Sequence, residues 1–382
     1  MITSPYLAPE RWLHWIALQP QSARRLSFDL ERLLYLPKDA QRAAQGAVYV
    51  CGLARSGTTI LLRILNEIAE LKSLTYRAMP FALAPNLWTA MQGGLQRNVA
   101  QTIRAHQDGI LVDLDSPESL EQVFWRTFDN SVANFATRTM DSKTPSHATL
   151  AAFADYRALV ANPKGSETEQ DTRPRRYLSK NNNNLMRLAS LCADPSAHAL
   201  LAYRDPVATT RSLYRQHQRF CEAQKANRFI RQYMGWLGHH EFGLDHLPFA
   251  FAKPHMTAGL QPDDPNYWLD YWCAVHQHLL LLEADNLHLV NHAALCAQPA
   301  RVLGKVLETL GLKADATALA KMVRATPSTS VAAAPPQRHE RRTSETQDEI
   351  LARPDEFRPD LLQRAHTAYS AFCLSSGNII FV

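Results

Sequence analysis

Residues 48–65 read VYVCGLARSGTTILLRIL: an apolar run, a glycine-bearing turn and the start of an apolar helix. The run AVYVCGL (47–53) is almost unbroken in its apolar character, the mark of a parallel strand covered on both faces. Gly52 and Gly57 have the G-x-x-x-x-G spacing of a nucleotide-triphosphate loop, and Thr59 falls where that loop keeps its magnesium-binding hydroxyl. The lysine of that loop is absent, and Thr58 stands in its place. A turn of this kind presents backbone N–H groups and the positive end of a helix dipole to an anion. Arg55 supplies a cation from inside the loop, and Thr58 and Thr59 add hydroxyl donors at the first helical turn. The stretch therefore predicts a strand–loop–helix unit with an anion cradle.

The same grammar recurs along the chain. AHALLAYRDP (197–206) reads as a second strand that passes directly into a long helix, VATTRSLYRQHQRFCEAQKANRFIRQYMGWL. Asp205 suits the N-cap of that helix and Pro206 its first position. Arg204 then falls at the carboxyl end of a parallel strand, where α/β folds gather ligand groups, and Ser212 lies about two turns into the helix. RYLSKN (176–181) and LHLVNH (287–292) read as further strands, YWLDYWCAVHQHLLLLEA (267–284) and PARVLGKVLETLGL (299–312) as helices. The fold class expected is α/β, a parallel β-sheet flanked by helices with P-loop-like topology.

Apolar stripes at Trp12, Leu13, Ile16 and Leu18, and at Leu30, Leu33 and Leu34, predict a helical segment over 1–45 that packs on the main domain. The α/β core is expected over 46–312, with a helical insertion at about 78–175 covering the acceptor side. Residues 313–382 are expected to add C-terminal helices and, at 325–348, a lid-like loop poor in large apolar residues.

Composition narrows the classes of function. With 46% hydrophobic and 20% charged residues, the 382-residue chain is neither disordered nor fibrous. A formal net charge of +5 is too small and too spread to indicate nucleic-acid binding. The six cysteines form no C-x-x-C pair and read as reduced thiols. No signal sequence and no stretch of about 20 apolar residues is visible, so the expectation is a soluble, cytoplasmic protein. The histidine-rich GHHEFGLDH (238–246) lacks the H-x-x-x-H spacing of a zinc pair, and no metal is expected.

The two motifs together resemble the sulfotransferases that use 3′-phosphoadenosine-5′-phosphosulfate (PAPS). LARSGTTIL is similar to the 5′-phosphosulfate loop of that family, in the Arg-containing variant of tyrosylprotein and Golgi-type members; R-D-P followed by Ser212 resembles its 3′-phosphate motif. LHLVNHAALCAQPARVLGKVLETLGL resembles a late strand–helix pair of the family, with Ala293 and Ala294 in place of its acidic pair. The resemblance spans about residues 45–312 and implies roles. Ser56, Gly57, Thr58 and Thr59 would bind the 5′-phosphate, Arg55 the sulfuryl group and bridging oxygen, and Arg204 and Ser212 the 3′-phosphate. A later basic element of the family is matched only by Arg338, Arg341 and Arg342. The acceptor implied is a small molecule, lipid or saccharide offering a hydroxyl or, second, an amine.

Transfer to a hydroxyl requires a general base. In cytosolic members of the family a K-x-H element precedes the 3′-phosphate motif; here Lys180 matches its lysine, but the histidine position is Asn182. The base must come from elsewhere. His106 is the first candidate, with Asp108, Glu118 and Glu121 in the same insertion; His240 leads a second group with His239, Glu241 and His246. Two alternatives remain open: an ATP-dependent kinase with a degenerate loop, and a nucleotide-binding protein that has lost catalysis.

Overall fold

The computed structural model describes residues 8–36, 46–92, 102–103, 111–112, 117, 119–129, 132–141, 144–163, 175–325 and 356–375. Its nine strands among these residues are β1 (Ala47–Cys51), β2 (Leu71–Lys72), β3 (Thr102–Ile103), β4 (Leu111–Val112), β5 (Val132–Asn134), β6 (Thr139–Asp141), β7 (Arg176–Lys180), β8 (Ala197–Tyr203) and β9 (Leu287–Asn291). Five form a sheet in the order β2-β7-β1-β8-β9, and every neighbouring pair is parallel.

Side chains of a strand alternate between its faces, and the two faces here carry separate cores. Val48, Val50, Leu178, Leu200 and Val290 pack beneath the helices Thr58–Asn66, Pro299–Leu310 and Ala316–Ala325. Tyr49, Cys51, Tyr177, Leu201 and Tyr203 face the larger core, under the helices Pro265–Leu279 and Pro359–Leu374. All five residues of β1 are buried, as its unbroken apolar run predicts.

The N-terminal helices Ala8–Leu18 and Gln21–Tyr35 contribute Ala17, Leu18 and Phe28 to the larger core. A buried carboxylate secures them: Glu31 accepts hydrogen bonds from the amides of Asn86 (2.9 Å) and Leu87 (2.8 Å) and from Asn86 Nδ2 (2.7 Å). It thereby takes up orphan N–H groups at the start of the helix Pro85–Met91.

The insertion is less purely helical than its sequence suggests. Besides Pro85–Met91, Gln122–Phe128 and His147–Ala161 it contains two antiparallel hairpins, β3–β4 and β5–β6. In the second, Asn134 Oδ1 accepts from the amides of Ala136 and Thr137 at 3.1 Å, closing a turn that polar side chains favour. The hairpin is then held by backbone bonds of Met140 to Pro248 (2.8 Å) and Ala250 (2.7 Å), partners invisible to local periodicity. The helix expected through 207–237 is interrupted at Asn227, whose side chain caps a new helix, Arg228–Leu237. The helix expected to reach residue 284 ends at Leu279.

Several histidines belong to the core. His246 lies between His240 O and the Tyr267 hydroxyl (3.2 and 2.9 Å), and His276 stacks on Trp272 with centroids 3.8 Å apart. Burial pushes His246 down to about 3 and His217 and His276 down to about 4. Their folded values lie below the unfolded value, so the folded chain binds fewer protons and stability rises with pH. The contribution is complete above about pH 6.5 and is lost as pH falls below it. A urea midpoint that is level above pH 7 and falls between about pH 6.5 and 5, before the carboxylates titrate, is expected. A flat midpoint across that window would contradict this account.

Candidate functional site

The register of the sheet assembles the site. Val50 stands opposite Lys180, Cys51 opposite Leu201 and Tyr203 opposite Asn291, so four strands end along one edge. From these ends emerge the loop 52–57, the polar turn 181–184, Arg204 and His292. This carboxyl edge is where parallel sheets bind ligands.

The loop is built from unusual backbone. Gly52 has φ 149° and Gly57 φ 95°, and Arg55 adopts φ 73°, a left-handed conformation that a long side chain occupies only when its surroundings hold it. Gly57 caps the helix Thr58–Asn66. A Cβ there would come within 2.4 Å of His292 Cδ2, so the glycine is required by space as well as by φ.

Three sequence-predicted residues converge directly. Arg55 Nε donates to Ser212 Oγ at 2.9 Å, and Arg204 Nη1 reaches the Arg55 carbonyl at 3.5 Å. Asp205 accepts from the Ala208 amide at 2.8 Å, the predicted cap that sets the helix bearing Ser212. Arg204 is partly buried, and burial lowers its pKa. Thr58 Oγ1 donates to Asn182 Oδ1 at 3.4 Å, which brings the turn after Lys180 against the loop. Thr59 follows in the first helical turn. Ser56 faces inward: its N–H (3.2 Å) and hydroxyl (2.7 Å) both donate to Leu53 O, so it shapes the turn.

The candidate bases separate. His106, Asp108 and Glu118 lie outside the described residues, as do Arg338, Arg341 and Arg342. Glu121 is a buried structural hub, accepting from Trp125 Nε1 (2.7 Å), Tyr177 OH (3.0 Å) and Ser179 Oγ (2.5 Å). Its oxygens are committed to the core, which removes it as a base; His246, held between His240 O and Tyr267, is removed in the same way. Lys180 is buried, with its carbonyl bonded by Ser119 Oγ at 2.7 Å.

His240 and Glu241 line a small cavity together with Leu53, Ala54 and Asn182, directly behind the loop. Its volume is about 10 Å³, about one water. His240 Nδ1 lies 3.1 Å from the Asp245 carbonyl, which makes Nδ1 the protonated nitrogen and leaves Nε2 a lone pair. Burial lowers the His240 pKa, so the ring is neutral at pH 7. Burial would raise the Glu241 carboxyl, but His239, at 3.4 Å, and Lys180 outweigh it and bring the value down to about 2. A cleft of about 1070 Å³, walled by the hairpin β5–β6 and the helices Gln122–Phe128 and Arg228–Leu237, shares His240 and Met140 as lining residues with the small cavity.

His292 was visible in the sequence only as the end of a strand. It packs on Gly57, and burial together with Arg204 pushes it down to about 4. Its signal was a histidine next to the replaced acidic pair of the late strand–helix element, too slight to single it out. Among the described residues no three metal-ligating side chains cluster, and no helix is long and apolar enough to cross a membrane.

No curated protein sequence matches the chain. Similar solved structures include the sulfotransferase STF1 from Mycobacterium tuberculosis, 15% identical over 80% of this chain and 78% of that one with a TM-score of 0.48. The sulfotransferase STF9 from Mycobacterium avium is 15% identical over 98% of this chain and 89% of that one, with a TM-score of 0.49. Residues 47–252, more than half of the chain and including the loop, Arg204, Ser212 and His240, match the profile of the sulfotransferase family. The chain belongs to the sulfotransferase family.

Proposed function

We propose that the chain transfers the sulfuryl group of PAPS to a hydroxyl of a small-molecule, lipid or saccharide acceptor. The observation that carries this reading is the meeting of Arg55, Ser212 and Arg204 at one end of the sheet, around a helix N-terminus. A 3′-phosphate suits Arg204 and Ser212, and a 5′-phosphate suits the amides and hydroxyls of Thr58 and Thr59. Thr58 in place of lysine fits a donor with a single 5′-phosphate better than a triphosphate with its magnesium, and the family match favours transfer of sulfate over phosphoryl chemistry.

The chemistry follows from charge. The acceptor oxygen bonds to sulfur as the bond from sulfur to the bridging oxygen breaks, and negative charge develops on the departing 5′-phosphate. Arg55 and the helix N-terminus stabilise that charge without reorganising. His240 Nε2 takes the acceptor proton, with its tautomer fixed by the Asp245 carbonyl. Lys180 and His239 keep Glu241 ionised, and that anion favours the imidazolium His240 becomes. The wide cleft brings the acceptor to His240.

Titration calorimetry with 3′-phosphoadenosine-5′-phosphate tests the donor site. Arg204→Ala should weaken binding by roughly 10- to 150-fold, the loss of a charged hydrogen bond of about 1.5–3 kcal/mol; unchanged affinity would remove the 3′-phosphate assignment. Arg55→Ala should reduce transfer by about a hundredfold or more. Tight binding of ATP with magnesium and none of the 3′-phosphorylated nucleotide would favour a kinase.

For the base, His240→Gln should lower kcat by about 10²–10⁴ with nucleotide affinity intact. In the unaltered protein kcat should hold through pH 6.5 and fall only at lower pH, because burial places the His240 pKa below its ordinary value. A His240→Gln protein with normal turnover would move the role to another residue.

A further inference from the structure

We infer that the acceptor is itself an anion, a hydroxyl compound bearing a carboxylate or phosphate that seats against Arg24 and Arg126 in the cleft while its hydroxyl reaches His240. The inference rests on the transfer reading above and names the class of acceptor.

The walls of the cleft carry more positive charge than their own acids offset. Buried Arg24 and half-buried Arg126 line it, and exposed Lys225 and Arg228 mark its rim. Two carboxylates also line it, but each is engaged. Asp245 forms a two-pronged pair with Arg231 at 2.6 and 2.7 Å, and Asp129 lies 3.9 Å from buried Arg187. Among the described residues no carboxylate lies within ion-pair distance of Arg24 or Arg126.

Both inner arginines are held in place by neutral groups. Arg24 donates to Thr127 Oγ1 (2.8 Å) and to the carbonyls of Leu18 and Gln19, and Arg126 donates to the carbonyls of Leu18 (3.0 Å) and Trp236 (2.7 Å). These bonds orient the guanidinium groups without neutralising them. Nη2 of Arg24, and Nε and Nη2 of Arg126, make no hydrogen bond among the described residues.

Arg24 is only 4% exposed, and a buried cation without a counter-charge is costly to the fold. Burial, with the charge of Arg126 beside it, pulls the Arg24 pKa down to about 10; burial also lowers that of Arg126. Two adjacent, oriented and uncompensated guanidinium groups facing a cleft make a receptor for a planar or tetrahedral oxyanion. Because the cleft and the inner cavity share His240 and Met140 as lining residues, one molecule whose anion seats on the arginines is placed to offer its hydroxyl to His240.

Three probes with the same fluorophore test this on the full chain saturated with 3′-phosphoadenosine-5′-phosphate: 4-methylumbelliferyl β-glucoside, its glucuronide and its 6-phosphate. At least one anionic probe is expected to bind about tenfold or more tighter than the neutral glucoside at low salt. The preference should shrink as salt is raised toward about 1 M. Which anionic probe binds tighter distinguishes carboxylate from phosphate. Arg126→Gln and Arg24→Gln should abolish the preference. Because both side chains also brace the backbone, Lys225→Gln and Arg228→Gln on the rim provide a second set, each expected to reduce it severalfold. Equal affinity for all three probes, a preference unaffected by salt, or no binding of either anionic probe would overturn the inference. Failure of the 3′-phosphorylated nucleotide itself to bind would instead overturn the transfer reading on which it rests.

Discussion

Parallel pairing of β1 with β7 on one side and β8 on the other is the constraint on which the site depends. In a parallel sheet all strands end at the same edge, and the register found here ends β1, β7, β8 and β9 almost level. Each strand then delivers one polar element: a glycine-bearing loop, an asparagine-rich turn, an arginine and a histidine. The alternating apolar residues that fix the register are thus as important to the chemistry as the polar residues they position. A slip of one residue in β8 would turn Leu201 away from its core and carry Arg204 off the loop.

The loop differs from a triphosphate-binding loop chiefly in where it places its cation. A lysine at the start of the helix would be a mobile point charge, suited to a highly charged ligand. Arg55 in a left-handed turn is a rigid fork tied to Ser212 across the site. The site therefore holds its cation fixed before any ligand arrives, which is the condition under which electrostatic stabilisation is most effective.

Much of this was legible in the sequence because it is local. Strand burial, the positive-φ glycines and the Asp205 cap all depend on residues close together in the chain, and all appear as read. The insertion was read less well, because the β5–β6 hairpin depends on backbone bonds of Met140 to Pro248 and Ala250. Nor could sequence distinguish among the acids and histidines. Glu121 and His246 carry the same functional groups as catalytic residues, and only their buried partners reveal them as structural. His240 is distinguished by lining a cavity beside the loop, with only its Nδ1 tied to a backbone carbonyl.

The contact of His292 with Gly57 carries a consequence for how the site comes into being. One side of the loop 52–57 is moulded by a residue that follows the last strand of the sheet, far later in the chain. During synthesis the loop and its helix emerge early, yet their final shape waits for β9 to dock at the sheet edge. The cradle is thus complete only when the fold is: a chain in which β9 has not docked lacks the wall that His292 supplies.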